Sequence, residues 1–141
     1  MNERPVLVMS VEASTDPASL EDVHTLLQRF WSSGPNVDDV WRMMFETAVA
    51  EVAANILEHS RREREARLLR LSLRAFGDRV EAWLQDDGLS VDVSLDAPLP
   101  HESAKRGRGV AIVRKMVDEF SYARIEGMNR WLIVKRLPAR G

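Results

Sequence analysis

Apolar and polar positions along the chain follow two periods, and the period separates strands from helices. Val6 to Val11 is short, apolar and β-prone, and reads as a first strand. From Leu20 onward the period lengthens. Leu20, Val23, Leu26, Leu27, Phe30 and Trp31 recur at helical spacing, with Asp16 placed as N-cap and Pro17 at the first position. Ser32-Ser33-Gly34-Pro35 ends this helix. Asn36 can cap a second helix, running to about His59, with a buried stripe of Val37, Val40, Trp41, Met44, Phe45, Ala48, Val52 and Ile56. A densely charged stretch, Arg61 to Arg67, leads into Leu69, Leu71 and Leu73, which alternate as in a strand. Gly77-Asp78 makes a turn into a further strand, Val80 to Leu84.

The remainder is less periodic. Leu89 to Arg106 carries two prolines and reads as a long loop, of the kind that often serves as a functional lid. Gly107-Arg108-Gly109 opens a third helix, with Val110, Ile112, Val113, Met116 and Val117 as its apolar residues. Two strands, about Phe120 to Ile125 and Trp131 to Leu137, close the chain around Gly127. Strands joined by short turns imply an antiparallel or mixed sheet. With all helices on one face, the expected fold is a two-layer α/β sandwich. The 141 residues suit a single domain, 1–141, able to bury a core without staples.

Composition narrows the function. Hydrophobic residues are 45% and charged residues 30%, a globular balance. The net charge of −2 disfavours general binding to nucleic acid or acidic membranes. The chain has no cysteine, which excludes disulfides, thiolate metal sites and cysteine nucleophiles and fits a reducing compartment. No targeting segment is visible, and no apolar run approaches the roughly 20 residues of a membrane span. A soluble cytoplasmic protein is expected.

Three groups of residues carry candidate chemistry. Glu51, Asn55 and His59 lie four apart, on one helix face beside the apolar stripe. The Asn55 carbonyl oxygen is a suitable hard ligand for Mg²⁺ shared with nucleotide phosphates, and the Glu51 carboxylate can accept a proton from a hydroxyl or a water. Asp86-Asp87-Gly88 follows the strand ending at Leu84. A carboxylate there can accept from an exocyclic amino group such as that of adenine, and Gly88 lets the backbone approach a flat ring. Gly107-Arg108-Gly109 offers free N–H groups and a helix dipole to phosphate, with Arg108 or Lys105 adding charge. Taken singly, the first group also reads as a solvated helix edge and the second as an ordinary turn. The third is neither a dinucleotide-binding fingerprint nor a P-loop. In their order along the chain, with a lid before the phosphate cradle, the three compose an ATP site.

The same segments resemble a known family. "EVAANILEHS" is similar to the N box of the ATPase superfamily that includes gyrase, histidine kinases and mismatch-repair ATPases. "QDDGLSVD" resembles its first glycine box and "RGRGVAIVRKMVDEFSY" its second. The most similar subgroup is the anti-sigma-factor serine kinases, and the likeness covers nearly the whole chain. The resemblance implies a Bergerat-type ATP-binding fold using ATP and Mg²⁺. It implies Glu51 as catalytic base, Asn55 as Mg²⁺ ligand, Asp86 on the adenine amino group, and Gly88 beside the ring. Gly107 and Gly109 would shape the phosphate end of the lid. It also implies a protein serine/threonine kinase that phosphorylates a STAS-type antagonist protein, binds a sigma factor and dimerises.

Two departures stand out: Ser90 replaces the second glycine of the first box, and the final hairpin, "EGMNRWLIVKRL", lacks the small hydroxyl residue often found after its glycine. They leave open a non-catalytic switch in which ATP controls partner binding. A histidine-kinase catalytic domain acting in trans is a further alternative. His24 and His101 have no metal-ligand spacing. Trp83 and Trp131 are expected to pack on the sheet, and Trp31 and Trp41 to be buried.

Overall fold

Leu69, Leu71 and Leu73 are all buried, while Leu68 and Arg70 on either side of Leu69 are exposed and Arg74 beyond Leu73 is half-buried. The two-residue period is therefore the inward–outward alternation of a strand with one covered face. The computed structural model describes residues 3–16, 18–63, 68–88 and 111–138. In chain order these form β1 (Leu7–Ser14), α1 (Ser19–Ser33), α2 (Asp39–Glu63), β2 (Leu68–Ala75), β3 (Arg79–Asp86), β4 (Glu119–Ile125) and β5 (Met128–Arg136). Residues 111–116 are helical and precede β4.

The five strands make one sheet in the order β1-β2-β3-β5-β4, antiparallel at each pairing, where the sequence left a mixed sheet open. α1 packs on β1 and β2, and α2 packs on α1, β3 and β5. Phe30, Phe45 and Val52 of the helices share one core cluster with Leu71, Leu84 and Ile133 of the sheet. Both helices thus cover the same face, and the fold is a two-layer α/β sandwich.

Aromatic packing fixes the helix pair. Trp41 stacks on Phe45 with centroids 5.6 Å apart, and Trp31 meets the two rings edge-on at 5.9 and 5.8 Å. The Trp41 indole N–H donates to Arg136 O at 2.8 Å, which ties α2 to the end of β5. Lys135 Nζ donates to Met116 O at 2.7 Å, so a cation closes the C-terminal end of the 111–116 turn.

Some boundaries differ from expectation. Asp38, not Asn36, caps α2: its Oδ1 accepts from the Trp41 N–H at 2.8 Å. The helix also runs on past His59 to Glu63. Val40 is 64% exposed rather than part of the stripe, because Trp41 takes the inward position in that first turn. Asp16 is not the N-cap of α1: the helix starts at Ser19 with Ala18 at the cap, and Asp16 instead makes the turn before it, its Oδ1 accepting from the Ala18 N–H at 2.8 Å, while Pro17 lies outside the described residues. Asp86 is the last residue of β3 and not part of the turn after it. Glu126 and Gly127 both have positive φ, 51° and 78°, as a two-residue turn between β4 and β5 requires. Among the described residues no helix is long and apolar enough to cross a membrane.

Phe45→Ala is expected to destabilise the fold by about 3–5 kcal/mol, since the ring is fully buried between two tryptophans. Val40→Ala should change stability by no more than about 0.5 kcal/mol. Urea denaturation of the two variants checks the contrast. Equal losses would contradict this assignment of inward and outward positions.

Candidate functional site

α2 presents Glu51, Asn55 and His59 in a half-buried row. Val52, Ala53, Ile56 and Leu57 beside them are buried, and Ala50 and Ala54 are exposed. The row therefore sits at the margin of the core, as the four-residue spacing predicts. Since α2 lies over β3 and β5, this margin belongs to the helix that covers the strands carrying Asp86 and Asn129.

Asp86 ends β3 with only 5% of its surface exposed. A buried carboxylate needs donors. Its Oδ1 accepts from the Gly88 N–H and from Asn129 Nδ2, both at 2.9 Å. Asn129 is fully buried and is the direct cross-strand partner of Asp86 on β5. On its other side, Asn129 Oδ1 accepts from the Tyr122 hydroxyl and from Arg124 Nη1 at 3.0 Å. With two donors on the oxygen, the amide nitrogen has to face the acceptors Asp86 and Gly88 O. Arg124 Nη1 also donates to Gly88 O at 2.9 Å, which holds the backbone just past the strand. The adjacent Asp87 turns the other way and is exposed, its Oδ1 accepting from the Leu68 N–H at 2.9 Å. The two aspartates are thus separated: one joins the buried network with Asn129, the other anchors the start of β2.

The second oxygen of Asp86, Oδ2, has no partner among the described residues. An N–H donor brought to it would meet a fixed, charged acceptor in a largely dry site. Close by, Trp131 packs on Tyr122 with centroids 4.5 Å apart, and its buried indole N–H has no hydrogen-bond partner. That N–H is enclosed in the core, so the group this end of β3 offers to an incoming N–H donor is the Asp86 carboxylate oxygen that Asn129 and Gly88 leave unoccupied. Among the described residues no three His, Asp or Glu side chains group to hold a metal. The Asn55 amide oxygen fits a cation that takes most of its ligands from phosphates and water.

Of the residues predicted from sequence, Asp86 and Gly88 are joined by a hydrogen bond and both are buried. Glu51 and Asn55 share one helix face. Lys105, Gly107, Arg108 and Gly109, with Ser90 and the loop that contains it, lie outside the described residues. Asn129, Tyr122 and Arg124 were not predicted. The signal for Asn129 is its parity: it shares the inward set of β5 with Trp131 and Ile133, so a polar residue there needs buried partners. The final hairpin does lack a hydroxyl after its glycine, but a buried amide contacts the Asp86 carboxylate from that strand.

The comparisons with known proteins agree with this architecture. No curated protein matches the chain significantly. The solved structure of the RsbU and RsbW domains of Rv1364c from Mycobacterium tuberculosis superposes with a TM-score of 0.66 at 18% identity. The match covers 96% of this chain and 34% of that one, so this chain spans about a third of that protein's solved length. The sequence profile of the histidine kinase-like ATPase domain matches residues 13–135, from the end of β1 almost to the end of β5. The chain belongs to the histidine kinase-like ATPase domain family.

Proposed function

We propose that this chain binds ATP and acts as a protein serine/threonine kinase on a small antagonist protein in an anti-sigma partner-switching system. The observation that carries the reading is the buried Asp86 carboxylate, held at Oδ1 by Asn129 and Gly88, in a chain of an ATPase family. The RsbW domain named in the solved relative supports the choice of partner class.

In this reading the exocyclic amino group of adenine donates to Asp86 Oδ2. Asn129 and the Gly88 N–H keep the carboxylate aimed, and Gly88 leaves room beside the ring. Asn55 is the residue that would hold Mg²⁺, which when bound neutralises phosphate charge during transfer. Lys105, Gly107, Arg108 and Gly109 are the proposed phosphate contacts. Glu51 accepts the proton of the acceptor serine or threonine hydroxyl as its oxygen bonds to the γ-phosphorus. The bond from that phosphorus to the bridging oxygen breaks, and ADP leaves.

Three outcomes are expected. Calorimetry should show tight ATP binding that requires Mg²⁺ in the wild type, and Asn55→Ala should remove the Mg²⁺ dependence. No ATP binding by folded wild-type protein would overturn the reading at its base.

Asp86→Asn replaces an acceptor oxygen with a donor facing another donor. It should weaken ATP by roughly 10- to 150-fold, equivalent to about 1.5–3 kcal/mol. Asn129→Leu should act in the same direction while also lowering stability by about 1–3 kcal/mol, because it strands polar partners in the core. Unchanged ATP affinity in both would remove Asp86 from the site.

Glu51→Ala should leave the ATP dissociation constant within about twofold and reduce phosphoryl transfer to the antagonist by roughly 10²- to 10⁴-fold. An acid-stable phosphoprotein product distinguishes serine/threonine transfer from transfer to histidine. Loss of ATP binding in this variant would contradict the separation of roles.

A further inference from the structure

The sheet face turned away from the helices carries its own group of residues. The register places Arg70 and Arg130 in one cross-strand row with Gln85 between them, Ser72 and Trp83 in the next, and Arg74 in the third. Together they line a shallow cavity of about 360 Å³. Arg74 lies over the Trp83 ring, its guanidinium carbon 5.2 Å from the centroid. With its amide oxygen turned to the guanidinium, Gln85 accepts from Arg130 Nε at 3.0 Å and Nη2 at 3.2 Å.

The charges here are unbalanced. Glu12 pairs with Arg70, but both side chains are half-exposed, so the pair is easily exchanged. Glu81 is engaged by Arg79 and by the Trp83 indole N–H. Among the described residues, Arg74 and Arg130 have no carboxylate partner; Arg74 has only Ser72 Oγ at 3.4 Å as a hydrogen-bond acceptor. On a chain of net charge −2 this is a local cationic face around the one tryptophan that is not buried. Tryptophan and arginine are the residue types that most often dominate binding interfaces.

We propose that this face docks an extended acidic segment of a partner protein, its carboxylates meeting Arg70, Arg74 and Arg130 across the Trp83 ring. Spacing selects a peptide over a small anion. Arg70 and Arg74 are four residues apart on one strand, roughly 13 Å, and Arg130 is two strands from Arg70, roughly 10 Å. The guanidinium groups are not gathered on one point for a single phosphate, since Arg74 lies over Trp83 and Arg130 is held by Gln85, whereas alternate carboxylates of an extended chain recur about every 7 Å. Charge selects an acidic partner over a second copy of this chain, since a two-fold contact centred on this face sets arginine against arginine. The nucleotide site lies on the opposite face of the sheet, so the two activities can be measured separately.

The test uses the full chain and a fluorescein-labelled, end-blocked peptide of about nine residues with glutamate at alternate positions. Anisotropy at low salt should show saturable binding that weakens as salt rises, with quenching of Trp83 emission. Arg74→Gln with Arg130→Gln should weaken the peptide by at least about tenfold, and Trp83→Ala by several-fold. Circular dichroism and ATP binding equal to wild type establish that these variants are folded. Peptide binding that is absent, or unchanged in the folded double variant, overturns the proposal. So does displacement of the peptide by inorganic phosphate at peptide-like concentrations, which identifies a small-anion site. A dimer seen by sedimentation in the wild type and lost in the double variant also overturns it, in favour of self-association.

Discussion

Asn129 donates an amide proton to Asp86 across the β3–β5 ladder, and the buried end of the sheet is arranged around that bond. A carboxylate with 5% of its surface exposed has given up most of its hydration, which costs several kcal/mol unless donors replace the water. Asn129 supplies one donor and the Gly88 N–H another. The amide is buried too, so its oxygen needs donors of its own, and Tyr122 and Arg124 provide them. Arg124 then reaches Gly88 O and closes the circuit. Each member satisfies the next, so loss of one strands a polar group in the core. That interdependence is what holds one carboxylate oxygen in a fixed direction.

The network exists only in one register. The side-chain period of a strand is two, so a slip of one residue in β5 sends Asn129 outward and Arg130 into the core. Two features pin the register. The tight turn at Glu126 and Gly127 sets the pairing of β4 with β5. Trp131 then locks it by packing between Phe120 and Tyr122 on one side of the core. An ordinary hydrophobic constraint thereby specifies where the polar chemistry sits.

The same logic explains what was legible in the sequence. The order of strands and helices follows from the periods of Leu69, Leu71 and Leu73 and of Val23, Leu26 and Phe30, because burial on one face leaves a repeat in the chain. Asp86 and Gly88 are legible because a strand end followed by Asp-Asp-Gly is a local pattern. The start of α2 is not, since Asn36 and Asp38 are both good caps, and only the tertiary seating of Trp41 decides between them. Asn129 is illegible for a different reason. Its partners are 43 residues upstream and 7 upstream, so its role depends on a pairing of strands that no local window contains. Its parity with Trp131 gives the one sequence-level clue, and that clue is usable only after the strand register is known. The cationic rows around Trp83 are hidden likewise, since Arg70, Arg74 and Arg130 converge only when β5 inserts between β3 and β4.

The insertion of β5 has a further consequence for the site's rigidity. The ends of sheets fray, because their terminal hydrogen bonds face solvent and few contacts hold them. Asp86 lies at such an end, yet its carboxylate is tied into a closed network. Its rung with Asn129 is bonded on the core face by the side chains themselves. The next rung, Gln85 with Arg130, is bonded on the opposite face, also side chain to side chain. Adjacent rungs are thus clasped on alternate faces of the sheet. Peeling β3 from β5 has to break one clasp on each side, and β5 itself is flanked by β4 rather than exposed as an edge. The place in the sheet where fraying is most expected is the place where cross-strand side-chain bonds are doubled.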